Sequence, residues 1–219
     1  MDFAAFENAV AGYRASRKKV FASSSFQTHS LPMLHMISRF AEPVPIVFIN
    51  TGYLFPETLT FRDEIAAEFG LEVINVRPMI PRIHQRDAHG NLYFTSDTDR
   101  CCFMNKVQPM EPILHEYDVW IAGVRADQNS NRANMLTEQP APFGCIRCHP
   151  MLDWSAKRIY DYSKEHDLPK HPLEDSGYVS IGCEPCTIRL DTDASRDGRW
   201  FGENKTECGL HTELAREEQ

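Results

Sequence analysis

Residues 44–49 read Val-Pro-Ile-Val-Phe-Ile, apolar at every position. A strand with one wet face alternates apolar and polar residues, so an unbroken apolar run requires cover on both faces. The runs 71–76 (LEVINV) and 118–124 (DVWIAGV), and a brief one over 19–22, read as further strands. Helical spacing fills the gaps between them. Phe3, Phe6, Val10 and Tyr13 recur at helical intervals, as do Leu31, Leu34, Ile37 and Phe40. A helix opens at Pro56 and closes at Gly70; another is expected over 103–117. Asp153 can cap one that runs to about His166 before Pro169 forbids continuation. Residues 78–100 read as irregular and contain Arg82 and Arg86. Beyond about residue 170 the pattern loosens into loops and an arm.

Strands alternating with helices predict an α/β fold: a mostly parallel sheet with helices on both faces. Ligands of such sheets bind at the carboxyl ends of the strands. Three loops leave those ends here, 23–28, 50–55 and 123–132, and the substrate is expected where they meet.

No apolar run approaches the roughly 20 residues that span a bilayer. The N-terminus opens with acidic residues and lacks the basic-then-apolar order of a signal peptide, so export is not expected and a cytoplasmic location is. A net charge of −8 excludes broad, salt-driven nucleic-acid binding while leaving room for a small anion held by local arginines. Seven cysteines in a reducing compartment point to metal, cluster or redox work before structural disulfides.

Several constellations suit such work. Ser23, Ser24, Ser25 and Phe26 form a strand-to-helix turn whose hydroxyls and N–H groups suit an anion, although Ser-rich turns also serve as plain caps. The Gly-Lys-Ser/Thr ending of a Walker loop is absent. Arg125 and Arg132 follow a strand end and either clamp anionic oxygens or belong to a solvated loop. Cys101-Cys102 and Cys183-Glu184-Pro185-Cys186 supply four thiols that suit zinc or an iron–sulfur cluster; adjacent cysteines are unusual for zinc and favour the cluster. Cys145-Ile146-Arg147-Cys148 makes a competing tetrad with Cys183 and Cys186, or else a strand-borne pair of buried thiols. Followed by His149, it also matches the CxxCH of haem attachment, which needs export. Cys208 stands alone between Lys205 and His211, both able to stabilise a thiolate.

Together these segments resemble the assimilatory sulfonucleotide reductases. The resemblance runs from about residue 20 to 213, through SSSF at 23–26, NTGYLFPET at 50–58, CC…KVQP at 101–109, AGVR…NRAN at 122–134, SIGCEPCT at 180–187 and KTECGLH at 205–211. It implies an adenine-nucleotide α-hydrolase (PP-loop)-like sulfonucleotide-binding domain over 1–190 and a catalytic arm over 191–219. It implies reduction of adenylyl sulfate to sulfite and AMP, within assimilatory sulfate reduction and cysteine biosynthesis. Cys208 is the implied nucleophile, forming an S-sulfocysteine that thioredoxin or glutaredoxin resolves. A [4Fe–4S] cluster on Cys101, Cys102, Cys183 and Cys186 is implied, with Lys106 between cluster and substrate. Arg196, Arg199 and His211 are implied to contact the phosphosulfate, and Ser23, Ser24, Ser25, Phe26, Gly52, Arg125 and Arg132 to bind the nucleotide. Homo-oligomers are common in this family.

Two features depart from the cluster-bearing branch. Cys145 and Cys148 match no ligand of the family. The loop SSSFQTHS resembles that of the branch using the 3′-phosphorylated nucleotide, which stands as the alternative substrate. A zinc-stabilised nucleotide-binding module without reductase activity is the reading from outside the enzyme class.

Overall fold

The computed structural model describes residues 1–189, 207, 209–212 and 214. Its elements follow in chain order: α1 (Phe3–Ala15), β1 (Val20–Ser23), α2 (Leu31–Ser38), β2 (Ile46–Ile49), α3 (Pro56–Glu68), β3 (Val73–Val76), α4 (Tyr93–Ser96), α5 (Thr98–Cys102), α6 (Glu111–Glu116), β4 (Val119–Ala122), α7 (Ser130–Ala133), β5 (Glu138–Pro140), β6 (Ile146–Cys148) and α8 (Ala156–Glu165). One six-stranded sheet has the order β3-β2-β1-β4-β6-β5, parallel throughout except for β5. The mostly parallel α/β architecture expected from the apolar runs is therefore observed.

The unbroken run at residues 46–48 is buried on both faces of β2, as its composition requires. Alternate residues feed two cores. Val20, Ala22, Ile46, Phe48, Val119 and Ile121 face the core built with α1, α2, α3 and α8. Phe21, Val47, Trp120 and Ala122 face the other core, with Val107, Met110 and Leu114 above them. Leu214, near the end of the described chain, is buried in that second core.

Strand order reverses beside β1. The chain moves outward through β2 and β3, then returns to place β4 on the other side of β1, with Ala22 paired to Ile46 and to Ile121. Connections leave β1 and β4 in opposite directions, and the crevice between their carboxyl ends stays open.

Three local expectations change. The helix expected over 103–117 is broken into a π turn (Phe103–Val107), a 3₁₀ turn (Gln108–Met110) and α6, because Pro109 and Pro112 lack the N–H groups a continuous helix would use. The stretch read as irregular holds α4 and most of α5, too short for a periodic signal. Ser155, not Asp153, caps α8, accepting from Arg158 N–H at 3.2 Å; Asp153 takes the N-terminal ammonium at 3.0 Å instead.

Ile65 sits on the core-facing side of α3, with its side chain enclosed, and is not among the residues lining the cavity described below. Ile65→Ala is expected to cost about 2–5 kcal/mol through lost burial and the cavity left behind. Urea unfolding checks this as a lower midpoint at unchanged slope, with nucleotide binding retained.

Candidate active site

A cavity of about 320 Å³ occupies the crevice at the carboxyl ends of β1 and β4. Ser23, Ser24, Ser25 and Gln27 line it from the first loop, Thr51 and Leu54 from the second, and residues 123–125, 127, 128 and 132 from the third. The three strand-end loops meet as expected. Residues 179–183 and the C-terminal residues Glu207, Leu210 and His211 complete the wall.

The first loop is held from several sides. Trp120 Nε1–H donates to Ser23 Oγ at 2.7 Å, and Ser24 Oγ accepts the Phe26 N–H at 3.0 Å. Phe26 adopts φ +54°, a costly conformation for a bulky residue. Its ring is buried in the core against Phe48, with centroids 5.7 Å apart. Phe26 therefore anchors the loop and does not line the cavity, unlike the nucleotide contact expected of it. Gly52 also stands aside: its φ of +75° makes the turn after β2, and its carbonyl accepts from Arg82 at 3.0 Å.

The two arginines of the third loop differ in state. Arg125 is buried and its Nε donates to Asp127 at 2.9 Å, while its Nη1 has no hydrogen-bond partner among the described residues. His29, across the same cavity, also leaves Nδ1 without one. Burial, reinforced by the Arg125 charge, lowers the His29 pKa and keeps the ring neutral. An unsatisfied guanidinium N–H at a cavity wall is a strong site for an anionic oxygen.

Arg132, expected as a second clamp, is already engaged. Its Nε and Nη2 fork onto Glu207 at 2.6 and 3.0 Å, and Nη1 donates to Gln128. Asn129 Nδ2 adds a bond to the same carboxylate at 2.8 Å. Both side chains of the ion pair are almost completely enclosed, at 9% and 1% exposure. The pair thus pins the C-terminal segment to α7 and leaves Arg125 as the arginine open to a ligand.

Cys101, Cys102, Cys183 and Cys186 all border one small, largely apolar hollow together with Tyr53, Phe94 and Pro185. Cys101 and Cys102 come from the end of α5, whose Asp97 cap accepts from Arg100 N–H at 2.8 Å. Cys183 is brought in by a bridge to Leu54 and by the Glu184 N–H to Tyr53 C=O bond of 2.7 Å. Burial pushes the Cys101 thiol up to about 11, and the sulfurs of Cys183 and Cys186 add to the rise. Four thiols crowded where ionisation is this unfavourable suit a polycationic inorganic group that would take them as thiolates. Among the described residues no group of three or more Cys, His, Asp or Glu is placed to hold a metal ion. Asn105 Nδ2 lies 3.5 Å from Cys101 Sγ, and Thr51 Oγ1 3.3 Å from Cys183 Sγ. Lys106 Nζ approaches Cys102 Sγ at 3.8 Å. Lys106 and Cys183 line both the hollow and the large cavity, so the two share a wall. The π turn that carries Lys106 is a backbone form frequent at functional sites.

The competing cysteine pair is excluded from either tetrad. Cys145 is buried in one core and Cys148 in the other, on opposite faces of the sheet at β6. The strand-borne reading holds, and neither a shared metal nor a haem can reach both sulfurs. His149 is fully buried, with Nδ1 against the Leu136 carbonyl at 2.7 Å. Burial and the Arg147 charge lower its pKa to about 4. Cys208, Arg196 and Arg199 lie outside the described residues, as does the expected boundary segment 191–206.

Arg147 is assigned no role by the sequence pattern, named only as part of the Cys145–Cys148 motif. It is completely buried, lies 4.0 Å over the Trp120 ring, and donates through Nη1 to the Leu210 carbonyl at 3.1 Å and through Nη2 to His211 Nδ1. The available signal was a charged residue inside an otherwise apolar β6 pattern.

The family model for the phosphoadenosine phosphosulfate reductase domain matches residues 19–189. A curated adenosine 5′-phosphosulfate reductase of Salinibacter ruber is 34% identical over 86% of this chain and 76% of its own length. Those of Rhodococcus erythropolis and Bacillus cereus are 37% and 34% identical, over 82% and 91% of this chain and 73% and 86% of their own. Among solved structures, the phosphoadenylyl-sulfate reductase of Candida auris superposes with a TM-score of 0.69 at 24% identity, over 83% of this chain and 89% of its own. The FMN adenylyltransferase of Candida glabrata superposes at 0.60 with 14% identity, over 92% and 66%. The likenesses to solved structures show the fold, the mostly parallel α/β architecture expected from the sequence.

Removing one member of a buried ion pair strands the other's charge, whereas removing both is far less costly. Glu207→Ala is expected to lose up to about 3–5 kcal/mol, and Glu207→Ala with Arg132→Met to recover most of it. Thermal unfolding of both variants and of Arg132→Met alone closes the cycle; additive losses would mean the pair carries no coupling.

Proposed function

We propose, starting from the fact that this chain belongs to the phosphoadenosine phosphosulfate reductase domain family, that it is a dithiol-dependent adenylyl-sulfate reductase of assimilatory sulfate reduction. The carrying observation is that residues on both sides of Cys208 in sequence, Glu207 and Leu210 with His211, line the cavity shared by the Ser-rich loop and Arg125.

The chemistry needs one nucleophile and local positive charge. The Cys208 thiolate attacks the sulfate sulfur of adenylyl sulfate. A sulfur–sulfur bond forms, the sulfur–oxygen bond to phosphate breaks, and AMP leaves with the electron pair. A thiolate of thioredoxin or glutaredoxin then attacks the Cys208 sulfur and expels sulfite. Closure of that dithiol to a disulfide supplies the two electrons and regenerates Cys208.

Arg125 suits the anionic oxygens through its open Nη1, and Ser23–Ser25 suit the nucleotide at the same wall. His211 accepts from Arg147 at Nδ1, which makes it a neutral imidazole with its proton on Nε2 at the wall of the cavity where AMP leaves. Lys106 contributes charge from the wall between cavity and hollow. Arg196 and Arg199 are proposed to add to it. Cys101, Cys102, Cys183 and Cys186 would hold a 4Fe–4S cluster. When bound, that group supplies electrostatic support to the site, without passing electrons.

The same scaffold supports a second substrate. The Ser-rich loop lines the cavity and resembles the form found with the 3′-phosphorylated nucleotide, so phosphoadenylyl-sulfate reduction is the competing reading. Sulfite release from both nucleotides on one anaerobic preparation separates them. A kcat/KM favouring adenylyl sulfate by more than about tenfold, some 1.4 kcal/mol of transition-state discrimination, is expected. The reverse preference would overturn the choice, and activity on neither would overturn the function.

Metal analysis tests the hollow. Cys101→Ser or Cys183→Ser is expected to abolish bound iron and acid-labile sulfide, while Cys145→Ala and Cys148→Ala leave both unchanged. About one zinc per chain without sulfide would contradict the cluster assignment.

A further inference from the structure

Arg147 belongs to the motif that the reaction left unused, Cys145-Ile146-Arg147-Cys148. Taking a guanidinium wholly out of water costs several kcal/mol unless its environment repays it. Two environments do so visibly. Strand register sets Arg147 beside Trp120, whose ring face carries it at 4.0 Å. The C-terminal segment supplies two acceptors, the Leu210 carbonyl and His211 Nδ1. Both acceptors lie within three residues of Cys208 in the chain. Arg147 is not among the residues lining the cavity.

The contact has a chemical consequence. A ring nitrogen that faces a permanent cation accepts a hydrogen bond from it, so the His211 proton sits on Nε2. Trp120 in turn donates to Ser23 Oγ, which ties the same cation to the first loop.

We propose that Arg147 is a positioning residue of the reductase. It acts through Leu210 and His211, fixing the segment that follows Cys208 against the cavity and holding the His211 ring by its Nδ1. The useful part of the CxxC-like motif is thus the cation between the thiols, with the thiols serving as core. This inference rests on the proposed reductase activity, and its test has a readout independent of turnover.

The test compares wild-type holoprotein with Arg147→Met, which keeps an unbranched apolar stem over Trp120, and Arg147→Lys, which keeps the charge without a two-acceptor fork. Three quantities are measured: nucleotide affinity at equilibrium, the single-turnover rate of S-sulfocysteine formation, and iodoacetamide labelling of Cys208 followed by peptide mapping. Arg147→Met is expected to slow S-sulfocysteine formation at least about tenfold, as loss of charge-assisted hydrogen bonds would, and to change Cys208 labelling severalfold. Nucleotide affinity should stay within about twofold, with Arg147→Lys intermediate in rate. A folded Arg147→Met with wild-type rate and labelling would overturn the proposal. So would loss of affinity in step with rate, since that is the signature of a general structural defect. If Arg147→Met fails to fold, Arg147→Lys carries the test on the same criteria. A wild-type protein that forms no S-sulfocysteine from either nucleotide defeats the reductase reading itself, and the labelling comparison still reports whether Arg147 governs the segment.

Discussion

Strand β1 is hydrogen-bonded to β2 on one side and β4 on the other, while the chain reaches those neighbours in opposite directions. No connecting segment can then close the gap above the two strand ends. Ser24 and Ser25 after β1, Thr51 after β2 and Arg125 after β4 all line that gap. The sheet's chain order, fixed by which apolar runs must be covered on both faces, therefore decides where anion chemistry is possible. Helix length and loop detail only decide which side chains arrive there.

An open crevice on an acidic protein is a poor place for an anionic nucleotide unless cations are concentrated at it. The fold does this with buried arginines whose environments differ. Arg125 keeps an unsatisfied N–H at the wall, Arg132 is neutralised by Glu207, and Arg147 is spread across an indole face and two acceptors of the C-terminal segment. Two of the three thus bind the C-terminal segment. The segment containing Cys208 in sequence is held at Glu207 and again at Leu210–His211, so buried cations seat the neighbours of the proposed nucleophile.

The alternation of apolar runs made the parallel sheet and the meeting point of the three loops legible before any coordinates. The four-thiol hollow was legible too, because Cys101, Cys102, Cys183 and Cys186 form tight sequence groups. Less visible were effects that depend on partners distant in the chain. Arg132 reads as a substrate clamp until Glu207, distant in sequence, is placed against it. Phe26 reads as part of a ligand loop until its positive φ turns the ring into the core. Cys145 and Cys148 read as a pair because spacing along a strand does not announce which face each residue takes. Arg147 was hidden for a related reason: its value lies in strand register with Trp120, which no local pattern encodes.

The central claim is that Cys208 forms a covalent bond to substrate sulfur at this crevice. It is tested most directly by mixing anaerobic holoprotein with adenylyl sulfate and no dithiol, then mapping every cysteine-containing peptide by mass. The account predicts one sulfo group on Cys208 for each AMP released, and none on the other six cysteines. AMP release without modification, or modification at Cys101, Cys145 or any thiol other than Cys208, would contradict it.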